Sequence, residues 1–316
     1  MTNLERISVI GAGLMGHGIV QVFAVIGHTV RIVDSNQIAL NSVKDRIREN
    51  LNIMINHGID FGSSIEEILD HIELITDTMT ACKDCDIVIE AVYENLSLKQ
   101  HIFKTLDDLC SKEVILCSNT SVISITEIAK HTIHPERVIG THFWNPPYLI
   151  PLVEVVRTEK TANWCSSRIF DILKRAGKHP VHVLKDVPGF IGNRMQHALW
   201  REAFAIIDEG ICEPGAIDEV IQNGFGLRLP ILGPVENADM VGLDLTLNIH
   251  DYILKYLNAN TTPSTTLQDR VKEGKLGFKS GMGFLKWSES SIIESRERLM
   301  NHLIKILIDK QKKSNK

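Results

Sequence analysis

Ile7-Ser8-Val9-Ile10-Gly11-Ala12-Gly13-Leu14-Met15-Gly16 is a short apolar run that breaks into three glycines at the spacing G-x-G-x-x-G. Apolar residues at helical spacing follow over 20–26, and a second β-rich run, 29–34, ends on Asp34. Strand, glycine turn, helix and strand in this order make a βαβ unit, which implies a parallel sheet with a right-handed crossover. The glycine pattern alone is a weak signal. Set between a strand and a helix, and answered by an acid at the end of the next strand, it marks a dinucleotide site. Gly11 permits the tight turn, Gly13 lets the backbone approach a pyrophosphate, and Gly16 lets helix and strand pack closely. Leu14 and Met15 complete the turn at the helix start, where unpaired N–H groups receive phosphate oxygens. Asp34 can accept hydrogen bonds from the ribose hydroxyls of an adenosine and repels a 2′-phosphate. Ser35-Asn36 supply no arginine for such a phosphate, so NAD is expected over NADP. FAD is bound by the same fingerprint; polar segments further along, suited to hydride transfer to nicotinamide, weigh against it.

Working outward, β-rich runs recur at 86–92, 114–117, 138–142, 153–156 and 180–184, most of them separated by helical stretches. Residues 38–57 and 64–72 have the spacing of two helices projecting from the sheet. After Pro188-Gly189 the alternating pattern vanishes, and 192–209, 214–222, 235–256 and 289–310 read as helices. The expected architecture is an α/β Rossmann-type NAD-binding domain over 1–185, followed by an all-α C-terminal domain over 186–316. The polar stretch 258–266 reads as a mobile loop and the basic tail 310–316 as a solvated helix end.

Composition narrows the function classes. Of the 316 residues 44% are hydrophobic and 23% charged, enough apolar surface to exclude global disorder. Lys+Arg 34 against Asp+Glu 39 gives a net charge of −5, which argues against a general nucleic-acid binder. No apolar run approaches the ~18 residues of a membrane span. The first ten residues run straight into strand-like sequence without a signal-peptide pattern, so a cytoplasmic protein is expected. The six cysteines then read as free thiols. Cys82-x-x-Cys85 has no second pair at zinc-ligand spacing and precedes a strand, so packing is expected there and no metal.

Four further segments carry chemistry: Ser118-Asn119-Thr120-Ser121, His142-Phe143-Trp144-Asn145-Pro146-Pro147, Leu152-Val153-Glu154-Val155, and Asp186-Val187-Pro188-Gly189-Phe190-Ile191-Gly192-Asn193-Arg194. His142 closes one predicted strand, and Glu154 lies on another twelve positions later. At the carboxyl ends of parallel strands such groups face the cofactor crevice. An imidazole held by a carboxylate is a general base near neutral pH, the group an alcohol oxidation needs for its O–H proton. His57, His71, His101, His131, His134, His179 and His182 have no accompanying pattern and receive no role. Read locally, Asn145 is equally suited to cap the Pro146-Pro147 turn, and Ser121 to N-cap the next helix.

Together with the glycine turn, these segments closely resemble the 3-hydroxyacyl-CoA dehydrogenase family, in family order from residue 7 to about 286. The resemblance implies a Rossmann-type NAD domain, a helical domain that makes a homodimer interface, and an active site between the domains. It assigns the catalytic dyad to His142 and Glu154, substrate-orienting roles to Ser121 and Asn145, and an asparagine from the helical domain to Asn193. It places Glu94 and Lys99 around the nicotinamide ribose and Lys279 near the cofactor.

The chain also departs from that pattern. Thioester-using members often carry serine and several lysines on the projecting hairpin; here Arg48-Glu-Asn50-Leu-Asn-Ile-Met-Ile-Asn-His57-Gly58 lacks the basic run. Lys44, Arg46 and Arg48 remain as phosphate attractors or as an exposed helix face. The segments 226–234, 144–151 and 193–201 and the extended C-terminus are similar to the lambda-crystallin and L-carnitine dehydrogenase branch, which oxidises free small 3-hydroxy acids. There Arg228 or Arg201 would clamp a carboxylate, with an ordinary salt bridge as the alternative. Three readings result. The first is an NAD-dependent dehydrogenase of an L-3-hydroxyacyl-CoA, the second a dehydrogenase of a free hydroxy acid, and the third a non-catalytic dinucleotide-binding protein.

Overall fold

β1 (Arg6–Ile10), α1 (Leu14–Ala24) and β2 (Thr29–Val33) form the βαβ unit that the glycine turn predicts, with β1 and β2 parallel. The computed structural model describes residues 4–314. The projecting segment folds as α2 (Gln37–Asn41), α3 (Val43–Asn56) and α4 (Ile65–Asp70). Val43, Ile47, Leu51 and Met54 recur at helical spacing along α3 and are buried, so this stripe seats the helix. α4 begins with a capping box between Ser64 and Glu67.

β3 (Ile72–Ile75) pairs with β2 and was not legible in the sequence. Four residues directly after a short helix carry too little periodicity to separate from it. Then come α5 (Thr78–Cys82), β4 (Ile87–Glu90), α6 (Leu96–Leu109), β5 (Ile115–Ser118), α7 (Ile125–Ile128), β6 (Val138–Phe143), β7 (Leu152–Val156), α8 (Asn163–Arg175) and β8 (His179–Val183). The strand order is β3-β2-β1-β4-β5-β6-β7-β8. The order reverses between β1 and β4, the place where open α/β sheets bind ligands. Successive residues alternate between two cores: Ile87 and Ile89 of β4 face one, Val88 the other. Burial on both faces is what a doubly wound sheet requires.

The parallel sheet that the βαβ unit implies is present except at one pair: β7 runs antiparallel to β6. Only residues 144–151 connect the two strands, too few for the dozen or so that a parallel crossover needs.

The described residues divide into two compact units, residues 4–194 with 300–314, and residues 195–299. The boundary therefore lies later than the expected 185, and the end of the chain returns to the first unit. Asp186 explains part of this, since its carboxylate accepts from Ser124 Oγ and the Ile125 and Thr126 amides at the start of α7. The C-terminal return is held by Met300, Leu303, Ile304, Leu307 and Ile308, which pack with Met54, Ile59 and Leu149.

The second unit contains most of α9 (Gly192–Asp208), then α10 (Pro214–Asn223), α11 (Pro234–Val241), α12 (Leu243–Ile253), α13 (Thr265–Lys272) and the start of α14 (Glu289–Ser314). The helix expected over 235–256 is two helices. Gly242, at φ 105°, breaks it. The 258–266 loop is tied to α9, with the Asn258 amide on Glu202 and Ser264 Oγ on Asp208. Among the described residues no helix is long and apolar enough to cross a membrane. Residues 315–316 of the basic tail lie outside the described residues.

Candidate active site

The glycine turn sits at the carboxyl end of β1, next to the chain leaving β4. Gly11 has φ 109°, and a Cβ there would lie 2.7 Å from the Ala91 carbonyl oxygen. A Cβ on Gly16 would lie 1.8 Å from the Gly11 carbonyl oxygen. These two glycines serve packing. Gly13 differs, because a Cβ there would meet nothing within 4 Å. Gly13 is also the N-cap of α1 and supplies no side-chain cap, and the first turn holds no acid. Among the described residues no side chain caps the orphan N–H groups of α1, the condition for a phosphate cradle. Leu14 beside them is exposed, and Met15 packs against the core. The open cradle fits the pyrophosphate of NAD.

Asp34 holds this turn from the side. Its Oδ2 accepts the Ala12 amide at 2.6 Å and its Oδ1 the Asn36 amide at 2.7 Å. Each oxygen keeps a lone pair for a further donor.

β6 and β7 carry the second half of the site. Their register pairs His142 directly with Glu154. His142 Nδ1 donates to Glu154 Oε2 at 2.8 Å, and both side chains are buried. An ionised carboxylate only accepts, so the proton is assigned to Nδ1 and Nε2 is left as the basic nitrogen. The other oxygen, Oε1, accepts the Ile191 and Gly192 amides, each at 2.9 Å. These are unpaired donors at the start of α9, which favour a negative charge there. Burial pushes the Glu154 carboxyl up, but the hydrogen bonds from His142, Gly192 and Ile191 outweigh it and hold the group below its ordinary value. The Trp144 and Phe190 rings lie 5.3 Å and 5.9 Å from the imidazole and confine it.

The loop after β5 is held by acids. Glu94 Oε1 accepts from Thr120 Oγ1 at 2.6 Å and from the Ser121 and Val122 amides. Asn193 Nδ2 donates to the Ser121 carbonyl oxygen at 2.8 Å, so these two expected site residues are brought together. Ser121 does not cap α7; Ser124 does, because the helix starts one residue after it. Asn145 is exposed and precedes the cis peptide to Pro146, and among the described residues its side chain makes no hydrogen bond.

Lys99 differs from expectation. It is 1% exposed, with Nζ on Glu90 Oε1 at 2.6 Å and Glu94 Oε2 at 3.4 Å. Glu90 Oε2 in turn accepts from Ser118 Oγ. Lys99 thus ties β4, β5 and the Glu94 loop together and is committed to protein partners. Sequence spacing gave no sign of this, since the Glu90 contact depends on how α6 returns over the sheet. Lys279 and Arg228 belong to the second unit. Lys279 lines a cavity of about 450 Å³ there with Arg270, Phe284 and Trp287. Arg228 is exposed and, among the described residues, pairs with no carboxylate.

Comparison with known proteins agrees with this geometry. Residues 6–187 match the 3-hydroxyacyl-CoA dehydrogenase NAD-binding domain, and residues 189–287 match the 3-hydroxyacyl-CoA dehydrogenase C-terminal domain. A probable 3-hydroxybutyryl-CoA dehydrogenase of Bacillus subtilis is 38% identical over 91% of this chain and 99% of its own. The crystal structure of (S)-3-hydroxybutyryl-CoA dehydrogenase from Ralstonia eutropha superposes with TM-score 0.76 at 35% identity, over 91% of this chain and 100% of that one. That of an NAD+-dependent 5-formyl-3-hydroxy-2-methylpyridine 4-carboxylic acid 5-dehydrogenase gives TM-score 0.89 at 30% identity, over 96% and 97%. With a dinucleotide cradle, a buried imidazole–carboxylate pair and both domain matches in sequence order, the chain belongs to the 3-hydroxyacyl-CoA dehydrogenase family and is an NAD-dependent dehydrogenase acting on a CH–OH group.

Proposed function

We propose that the protein oxidises an L-3-hydroxyacyl-CoA, with 3-hydroxybutyryl-CoA as a short-chain example, to the 3-keto thioester. The observation that carries this reading is the His142–Glu154 pair at 2.8 Å, held from behind by two backbone amides. The names of the Bacillus and Ralstonia relatives support a thioester as substrate. Bound NAD supplies the ring carbon that accepts the hydride. His142 Nε2 takes the hydroxyl proton, and Glu154 fixes the tautomer and stabilises the imidazolium. Ser121, Asn145 and Asn193 orient the substrate oxygen. In the reverse direction the imidazolium returns the proton, while hydroxyl and amide donors polarise the ketone.

In this reading the helix start at Gly13, Leu14 and Met15 receives the pyrophosphate on a turn whose shape Gly11 and Gly16 permit, and Asp34 receives the adenosine ribose. Glu94 is assigned to the nicotinamide ribose, Lys99 acts through the acids it ties, and Lys279 is assigned to the cofactor by the family resemblance alone. Arg228 is assigned to substrate.

We also propose a homodimer formed through the second unit. α10, α11 and α12 bury no residue within one chain, yet Leu243, Leu247, Ile249 and Tyr252 are half or more exposed. Apolar helices of this kind need a covering surface. The free cysteines, five of them buried, suit the cytoplasm, and the reaction suits fatty acid metabolism.

The test is NADH formation with 3-hydroxybutyryl-CoA, compared with free 3-hydroxybutyrate, carnitine, gulonate and an aromatic hydroxy acid. Turnover of the thioester is expected. Turnover of a free acid with none of any thioester would overturn the substrate assignment and leave the dyad intact. Sedimentation at micromolar concentration is expected to give twice the chain mass.

A further inference from the structure

Arg46 sits on α3, the helix whose orientation is fixed by the buried stripe Val43, Ile47, Leu51 and Met54. Its guanidinium is half-buried and, among the described residues, forms no salt bridge. It is spent mainly on backbone carbonyls, with Nη1 also 3.2 Å from His17 Nδ1. Nη2 donates to the Ala12 oxygen at 2.6 Å and to Ala39 at 3.1 Å. Nη1 lies 3.3 Å from the Gly13 oxygen, and Nε lies 3.4 Å from that of Ser42. The His17 ring nitrogen lies against the same Gly13 oxygen at 3.0 Å.

The two carbonyls from the glycine turn matter most. In a planar trans peptide, C=O and N–H point in opposite directions. The Ala12 carbonyl shares its plane with the Gly13 N–H, and the Gly13 carbonyl shares its plane with the Leu14 N–H. Drawing both oxygens toward α3 therefore aims both N–H groups the other way. The Gly13 oxygen also accepts the His17 amide of α1 at 3.4 Å, so the helix shares in aiming the Leu14 amide, while the Ala12 oxygen, before the flexible Gly13, takes its bond from Arg46. The guanidinium also places a cation close to a site that receives an anion.

We propose that Arg46 is a positioning residue of the cofactor site, clamping the Ala12 and Gly13 carbonyls so that the Gly13 and Leu14 amides are aligned in advance for the pyrophosphate. The proposal rests on the turn being the NAD site. It gives α3 a role in cofactor affinity, where the sequence offered either a phosphate attractor or an exposed helix face.

The experiment measures dissociation constants for NADH and ADP-ribose by fluorescence, with steady-state kinetics alongside. Wild type that binds neither ligand overturns the cofactor reading itself. With wild-type binding in place, Arg46→Met is expected to weaken both ligands by about tenfold, the scale of a lost charge-assisted hydrogen bond. KM for NAD rises in step, while kcat at saturating NAD stays within about twofold, a split that a merely structural defect would not produce. Arg46→Lys, which keeps the charge but not the fork, recovers part of the affinity. Arg46→Met binding within about twofold of wild type overturns the proposal. If Arg46→Met yields no folded protein, Arg46→Lys decides: a loss of about threefold or more supports the clamp, and unchanged affinity overturns it.

Discussion

Glu154→Gln removes one charge from the dyad and leaves its shape. The carboxylate accepts three hydrogen bonds, two backbone amides on Oε1 and the imidazole on Oε2. A carboxamide offers one oxygen and one NH2. The oxygen stays with the two amides, since turning it round would set NH2 against two N–H groups in place of one nitrogen. The NH2 then faces His142 Nδ1, which must become an acceptor. The ring proton moves to Nε2, and the base is lost without any change of fold. The analogous change in the serine-protease triad costs about 10⁴-fold in kcat, so a loss of about 10³- to 10⁴-fold, roughly 4–5 kcal/mol of barrier, is expected. NADH formation from a 3-hydroxyacyl-CoA is the assay, with NADH affinity as the control that does not change. A variant keeping more than about a tenth of wild-type kcat would refute the tautomer argument. Stability adds a second readout. The folded carboxyl titrates below its ordinary 4.5, so its stabilisation is full above that pH and lost as pH falls through the lowered value. Glu154→Gln lacks this contribution, and its acid-denaturation profile should be flatter over that window.

Gly13→Ala and Gly16→Ala should separate binding from folding. The first places a methyl in open space and is expected to keep the melting temperature while losing about tenfold or more in NADH affinity; the second collides with the Gly11 carbonyl and should lose stability, and equal melting temperatures would contradict the geometry. Ile304→Ala removes a fully buried side chain from the cluster with Met54, Ile59 and Leu149, and should cost about 2–4 kcal/mol in urea denaturation. A cost below about 1 kcal/mol would show that the C-terminal return carries no packing. Lys178 donates to the Pro147 and Ile150 carbonyls of the turn between β6 and β7, and burial pushes its ammonium down from 10.5 to about 8. Between those values the unfolded chain binds the extra proton, so stability should rise with pH across that window; Lys178→Met should remove this rise, as pH-dependent melting would show.

The amino-acid order alone settled whatever neighbouring residues decide among themselves. Three glycines between an apolar run and a helical one, answered by an acid closing the next strand, read as a tight turn into a helix within one unit. The loss of alternation after Pro188-Gly189 likewise announced a helical second part, though not that residues 300–314 return to the first. Other features depended on segments distant in the chain. β3 acquires its identity from pairing with β2, and β7 its direction from the short return after β6. That return sets His142 and Glu154 in register, and the Gly189-Phe190 turn, at φ 76° and 49°, brings two amides onto the carboxylate. The resemblance tied Lys99 to the nicotinamide ribose, and Arg46 read as a phosphate attractor or an exposed helix face, because nothing near either in sequence marks a carboxylate or a carbonyl arriving from another element. Periodicity records which face of an element is buried; which polar group meets which depends on the packing of whole elements, and only the tertiary structure holds that information.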